Sequence, residues 1–213
     1  MSGGLVTHIN ARASQAGTAV EPAVAAALGV YVRLLAKWNQ RINLTALPLD
    51  PPTDEAIDRL LIEPLIAASR IGPRDRIVID VGSGGGSPAI PMKIAAPGIR
   101  MILVESRLKK AAFLREAVRH LELTETAVEN RRLEELAGRE DWRGPADIVT
   151  VRAVAPTAEL WGSIELLLRT GGRVFWFGNR PATTAPSSTA AFFIRTTTET
   201  IPTPGGQLSI LQL

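Results

Sequence analysis

Ile77-Val78-Ile79-Asp80-Val81-Gly82-Ser83-Gly84-Gly85-Gly86-Ser87-Pro88 begins a segment that continues to Leu114 as AIPMKIAAPGIRMILVESRLKKAAFL. Its first residues are β-branched and apolar, as a short buried strand requires. The glycines that follow allow backbone conformations that ordinary side chains do not follow. Ser87 then offers a helix N-cap, and Pro88 suits a first helical turn, where a missing backbone N–H costs nothing. Strand, glycine turn and helix together form a βα corner of the kind that holds a phosphate or a cofactor.

Spacing separates the ligands such corners serve. A phosphate-cradling loop needs Lys followed by Ser or Thr after its second glycine, and neither stands here. A dinucleotide fingerprint places its third glycine at position 87, which is Ser. The observed order is an acid and then a glycine at every second position: Asp80, Gly82, Gly84, Gly86, with Ser83 between. This fits the S-adenosylmethionine corner of Rossmann-like methyltransferases better. Taken alone, a glycine-rich turn can be only a tight βα connection. The next strand, Met101 to Val104, ends on Glu105, where a carboxylate can accept hydrogen bonds from both ribose hydroxyls, and it tips the reading toward an adenosyl ligand across the C-terminal edge of the sheet.

Downstream of this corner the chain alternates. Pro97-Gly98 stops the first helix; Leu108, Ala111, Leu114, Val118 and Leu121 give the next its buried face. Ala127 to Asn130 is a third strand, leading into Arg131-Arg132-Leu133-Glu134-Glu135, and Asp147 to Val151 a fourth, ending at Arg152-Ala153. Leu160 to Leu168 is helical, Gly171-Gly172 turns the chain, and Arg173 to Phe177 is a fifth strand. After a polar stretch, Pro181 to Thr189, the segments Ala191 to Thr200 and Gln207 to Leu213 read as an antiparallel pair closing the sheet. Strands separated by helices imply a parallel sheet with right-handed crossovers. The fold class is α/β, a Rossmann-like class I methyltransferase sheet with helices on both faces.

Upstream, from Pro22, apolar residues Val24, Leu28, Tyr31, Leu34, Leu35, Trp38 and Ile42 recur at helical spacing, while Arg33, Lys37 and Arg41 share another face. Pro48 to Pro52 is a break, and Asp54 to Arg70 is a second helical segment interrupted near Pro64. Residues 21–72 thus form an N-terminal helical cap before a core over residues 73–213. Residues 1–20 show no periodicity and are expected to be loosely ordered.

The 213 residues, 46% apolar, hold one generous domain with an appendage. No apolar run reaches membrane-spanning length, and Met1 to Gly17 lacks the charged start and apolar centre of a signal peptide, so a soluble, cytoplasmic protein is expected. Without cysteine, and with His8 and His120 far apart, neither a disulfide framework nor a metal site is expected. Net charge is only +3. Its placement is uneven, since Arg107, Lys109, Lys110, Arg115 and Arg119 face a single acid, Glu116, and Arg131-Arg132 follow the third strand. Such a surplus attracts a polyanion or is a solvated helix face.

Five segments, in order from about residue 31 to 154, resemble the bacterial small-subunit ribosomal RNA guanine-N7 methyltransferases, also known as glucose-inhibited division protein B. Lys37-Trp38-Asn39-Gln40-Arg41-Ile42-Asn43-Leu44-Thr45 is similar to their K-W-N-x-x-x-N-L-T. Asp80 to Pro91 is similar to D-V-G-[ST]-G-x-G-x-P-G-I-P, and Lys109-Lys110 with Phe113-Leu114 to K-[KR]-x-x-F-L. Arg132-Leu133-Glu134-Glu135 is similar to R-x-E-E, and Arg152-Ala153 to the R-A after the fourth strand. Three positions depart. Ala89 replaces a glycine. The family's H-x-x-D-S has Arg59 near its His and Ile62 or Glu63 near its Asp. Phe177-Gly178-Asn179 lacks the Lys expected after the fifth strand.

The resemblance implies methyl transfer from S-adenosylmethionine to N7 of a guanine in small-subunit ribosomal RNA, with the RNA or the small ribosomal subunit as partner, no metal, and a monomer acting. Gly82, Gly84 and Gly86 then give the cofactor room, Ser87 lies beside it, Glu105 holds the ribose, and Leu133 and Glu134 meet the adenine edge. Asp80 and Ser83 complete that corner. Arg152 meets the methionine carboxylate or an RNA phosphate, or serves as an ion-pair partner, while Glu134 is alternatively an acid favoured by a helix start. Arg33, Lys37, Arg41, Lys109, Lys110, Arg131 and Arg132 are candidates for RNA phosphates. No general base is assigned, because N7 carries no proton. A methyltransferase of small molecules and a relative that binds without transfer remain as alternatives.

Overall fold

In the computed structural model, which describes residues 2–178 and 195–212, alternation along each strand builds both faces of one sheet. The strands are β1 (Ile77–Val81), β2 (Arg100–Val104), β3 (Thr126–Glu129), β4 (Ala146–Arg152), β5 (Leu168–Phe177), β6 (Arg195–Thr200) and β7 (Gln207–Gln212). They lie in the order β3-β2-β1-β4-β5-β7-β6, parallel except for β7, which runs antiparallel to both β5 and β6. The expected parallel sheet with a closing antiparallel pair is therefore present. Pro181 to Thr189, and the part of the sixth segment before Arg195, lie outside the described residues.

Val78, Met101, Leu103, Ile148, Phe175 and Phe177 point to one side, and Ile79, Val81, Ile102, Val104, Val149, Val151, Val174 and Trp176 to the other. Both sets are buried, which is why these strands read as almost continuous apolar runs. The first face is covered by the N-terminal helices together with α5 (Ala89–Ala95) and α6 (Leu108–His120). The second is covered by α7 (Leu133–Ala137) and α8 (Ala158–Leu167), where Trp161 stacks on Trp176 with centroids 5.4 Å apart. Strand order reverses between β1 and β4, and ligands of open α/β sheets sit in the crevice at such a reversal. Register levels the ends there, with Val81 opposite both Val104 and Val151.

Two local expectations change. Residues expected to be loose form α1 (Ser2–Gln15). Its buried stripe is Ile9 and Ala13, continued by Ala16 just past its end, too short to carry much periodic signal although all three are buried. Charge fixes it in place. Arg12 pairs with the buried Asp58, and His8 meets Asp54 at 2.7 Å. Ser87 caps no helix, since α5 begins at Ala89 after Pro88; its hydroxyl is used elsewhere, as described below.

The helix after the Pro48–Pro52 break also has a form that its sequence explains. α3 (Asp54–Ile57), capped by Thr53 Oγ1 on Ala56 N, passes into a π turn (Asp58–Ile62) and then α4 (Glu63–Ala68). Pro64 has no N–H for the Leu60 carbonyl. Glu63 N–H reaches back to Asp58 O, one residue beyond the α-helical partner, and leaves Arg59 O free as well. The carbonyls of Arg59 and Leu60 both receive donors from outside the helix.

Candidate functional site

The glycine turn after β1 needs its glycines. Gly82, Gly84 and Gly86 have φ of 66°, 49° and 87°, values that residues with a Cβ rarely adopt. A Cβ on Gly86 would lie 2.5 Å from Ile90 Cδ1. The turn is braced from three sides. Ser83 N donates to Val104 O (3.0 Å), Gly84 N to Glu105 Oε2 (2.9 Å), and the Tyr31 hydroxyl to Gly85 O (2.6 Å). Ser83 Oγ turns back to Asp80 O. Burial pushes the Tyr31 hydroxyl far above its ordinary range, so it acts purely as a neutral donor. Glu105 also accepts Arg107 N through Oε1 at 2.7 Å; each carboxylate oxygen keeps a further lone pair.

The N-terminal helices dock on this edge through the carbonyls of Leu60 and Arg59. Ser87 Oγ donates to Leu60 O at 3.0 Å, and Arg152 Nη1 to Arg59 O. Arg152 Nη2 also pairs with Glu63 Oε2 at 2.6 Å, and its guanidinium lies 4.6 Å from the Phe177 ring centroid. The ion-pair reading of Arg152 is therefore realised.

Three clefts follow one another along the C-terminal edge. The first, about 320 Å³, is lined by Gly82, Ser106, Arg131, Arg132, Leu133 and Glu134, among others. The second, about 450 Å³, runs over Gly82, Ser83, Gly84, Gly85 and Ser87 under Leu35, Leu44 and Lys110. The third, about 450 Å³, is bounded by Glu63, Trp176, Phe177 and Gly178. Gly82 belongs to the first two, and Arg59, Arg152 and Ala153 to the last two, so they form one trough. Ala153, where the second cleft meets the third, has φ of 54°, a strained conformation of the kind that gathers at working sites. Of the three departures, Arg59 and Gly178 line the trough, whereas Ala89 is fully buried in the core.

Asp80 is also buried. Its Oδ1 accepts the Thr150 hydroxyl at 2.5 Å, and its Oδ2 has no partner. Burial is the main reason its carboxyl is pushed up to about 6; the Thr150 and Ser83 hydroxyls and Arg152 oppose the shift and Glu105 adds to it.

The basic candidates fall into separate groups. Arg33 and Lys37 line a cleft of about 600 Å³ between α1, α2 (Pro22–Asn39) and the Leu49–Pro52 turn. Lys110 reaches within 3.9 Å of a Cβ built on Gly84, and Arg131 and Arg132 line the first cleft. Arg131 pairs with Glu129 at 2.9 Å. Arg33, Lys37, Arg41, Lys109, Lys110 and Arg132 form no ion pair among the described residues. Among those residues no group of three or more His, Asp or Glu is placed to hold a metal, and no helix is long and apolar enough to cross a membrane. Sequence reading missed Tyr31 as a support of the turn, because its apolar spacing marks it only as core. It also missed Asn130, whose side chain holds the carbonyls of Glu105 and Ser106.

Known proteins resemble this chain in sequence and in fold. An rRNA small subunit methyltransferase G of Xanthomonas euvesicatoria is 39% identical over 155 residues, 72% of this chain and 68% of that one. One from Stenotrophomonas maltophilia is 39% identical over 159 residues, 74% and 70% of the two chains. Among solved structures, M. jannaschii TYW2 in complex with AdoMet superposes with a TM-score of 0.53 at 16% identity, over 71% of this chain and 73% of that one. An O-methyltransferase family protein from Burkholderia thailandensis gives 0.55 at 16% identity, over 74% and 57%. These two establish the class I methyltransferase fold. The profile of the rRNA small subunit methyltransferase G family matches residues 25–201, and the chain belongs to that family.

Proposed function

We propose that the protein methylates N7 of a guanine in small-subunit ribosomal RNA, acting as a monomer in the cytoplasm. That it is an S-adenosylmethionine-dependent rRNA methyltransferase follows from its family and fold. The N7 and guanine assignment follows the family resemblance, and the observation that supports a cofactor and a base held side by side is the continuous trough, with a cleft on either side of the glycine turn. The residues fit the cofactor. A buried carboxylate oxygen without a partner stands beside Gly82 and Gly84, both at positive φ and both lining the trough, as a ligand with an ammonium group and a close backbone approach requires.

S-adenosylmethionine, when bound, supplies a methyl group made electrophilic by a positively charged sulfur. Leu133 and Glu134 would take its adenine, Glu105 its ribose, Gly82, Ser83, Gly84 and Ser87 its methionine side, and Asp80 its ammonium; Gly86, expected beside the cofactor, lines none of the three clefts and faces Ile90 and Leu114, so its glycine serves the turn and the core. Arg152, held by Glu63, would face the methionine carboxylate at the junction with the third cleft. N7 has a lone pair and no proton, so the residues need only align the acceptor, as positioning alone lowers such a barrier substantially.

Asp80 makes this reading depend on pH. Its folded pKa lies above the ordinary value of 3.8, so the stability its neutral form contributes is full below 3.8 and is lost as pH rises through about 6. A cationic ligand needs the charged form. Affinity for S-adenosylmethionine, measured by calorimetry, is expected to be flat above pH 7 and to fall roughly tenfold per unit well below pH 6. Asp80→Asn should bind weakly and without that slope.

The reading is tested by incubating the protein with methyl-labelled S-adenosylmethionine and unmodified ribosomal RNA, naked and in small subunits. Label recovered as 7-methylguanine is expected. Label on another atom would discard the N7 assignment, and labelling of small molecules alone would discard RNA. RNA affinity should fall with salt, and Lys109→Ala with Lys110→Ala should lower the log–log slope by roughly 0.7–0.9 for each phosphate that these lysines neutralise. An unchanged slope would remove both lysines from the RNA surface.

A further inference from the structure

Glu63 is an acid in the trough to which the methyl-transfer reading gives no contact with RNA. It lines the third cleft, beyond the junction at Arg152 and Ala153, together with Phe177 and Gly178. Its two oxygens are unequally used. Oε2 is taken by Arg152 at 2.6 Å, while Oε1 has the Thr203 hydroxyl at 3.3 Å, long for an O–H···O bond. A carboxylate oxygen accepts more than one hydrogen bond, so Oε1 retains acceptor capacity. Burial holds the Glu63 carboxyl above its ordinary range, an effect that Arg152 and Arg59 only partly offset, while the 2.6 Å contact shows Oε2 accepting from Arg152.

This chemistry selects among bases. Guanine carries donors, N1–H and the N2 amino group, on the edge opposite N7. Adenine has no donor at C2, and hypoxanthine keeps N1–H but lacks the amino group. A purine gripped by its N2 edge in the third cleft has N7 directed away from the grip, toward the rest of the trough. Phe177, buried beneath the Arg152 guanidinium, forms part of the wall of the same cleft.

We propose that Glu63 is the residue that selects guanine, its Oε1 accepting a hydrogen bond from the N2 amino group of the acceptor base. This rests on the trough being the site of RNA methylation. A carboxylate that pairs with one amino group and would otherwise stand buried and underused discriminates strongly against an analogue lacking that group.

The test compares guanosine and inosine 5′-monophosphates, which differ only in the N2 amino group, as competitors of ribosomal RNA labelling and as ligands in equilibrium binding. For the unaltered protein, GMP is expected to bind and inhibit about tenfold better than IMP, the size of one hydrogen bond to a charged group. Glu63→Gln, whose carbonyl oxygen will turn to Arg152 and present its NH2 to the base, should bring that ratio to one or below. If Glu63 only holds Arg152, the variant will weaken both nucleotides and leave the ratio unchanged, which overturns the proposal. Equal affinity of GMP and IMP for the unaltered protein overturns it without any variant. If ribosomal RNA is not labelled at all while cofactor binds, the methylation reading fails and this one with it; labelling with equal GMP and IMP removes Glu63 alone.

Discussion

Gly84→Asp is expected to cut affinity for S-adenosylmethionine by at least about 100-fold, close to 3 kcal/mol, while leaving the protein folded. The two halves of this expectation have different causes. Space around Gly84 is open: a Cβ there meets only Gly82 O at 3.6 Å and Lys110 Nζ at 3.9 Å. Its φ of 49° is left-handed, but Asp is among the side chains that tolerate that region. The loss of stability should therefore stay near 1 kcal/mol. Binding is another matter. The new carboxylate projects into the second cleft beside Glu105, adding volume and a negative charge where the ligand's polar groups must be desolvated. Calorimetry gives the affinity and thermal denaturation the fold. A variant that melts normally and binds normally would take the glycine turn out of the cofactor site. Gly86→Ala is the contrasting control, since its Cβ would press on Ile90 at 2.5 Å and should lower stability instead.

The candidate site is legible where its residues follow one another by local spacing. Asp80, the alternating glycines and Glu105 lie within 26 consecutive residues of one βα unit and the strand after it, so their order along the chain is also their order in space. Arg132-Leu133-Glu134 was legible for a similar reason, following directly on the end of β3. Contacts between the cap and the core were not. Nothing local reveals that Tyr31 holds Gly85, because its place in an apolar stripe shows only that it is buried. Pro64 marked an interruption, and the physical consequence is larger than an interruption. By withholding its N–H from Leu60 O it leaves that carbonyl to the Ser87 hydroxyl, so a proline in the cap helps to join two parts of the chain. The helix over Ser2–Gln15 was missed because alanines make a thin apolar stripe, and because Arg12 finds its carboxylate 46 residues away.

Arg152→Ala should be the most damaging single change at the junction of the clefts, costing roughly 3–5 kcal/mol of stability as well as activity. Arg152 carries three separate loads. It neutralises Glu63, a carboxylate only 4% exposed; it supplies the donor for Arg59 O; and it covers the Phe177 ring. Removing it leaves an unpaired buried charge, and that cost exceeds the value of the ion pair itself. The double replacement Glu63→Met with Arg152→Met separates these contributions. With both charges gone and the volume kept, the protein should regain at least about 2 kcal/mol relative to Arg152→Ala in denaturant titration. Ribosomal RNA labelling should stay lost, because no apolar pair can meet the methionine carboxylate or the acceptor base. If stability and labelling return together, the Arg152–Glu63 pair serves the fold alone, and the acceptor cleft must be sought elsewhere on the sheet edge.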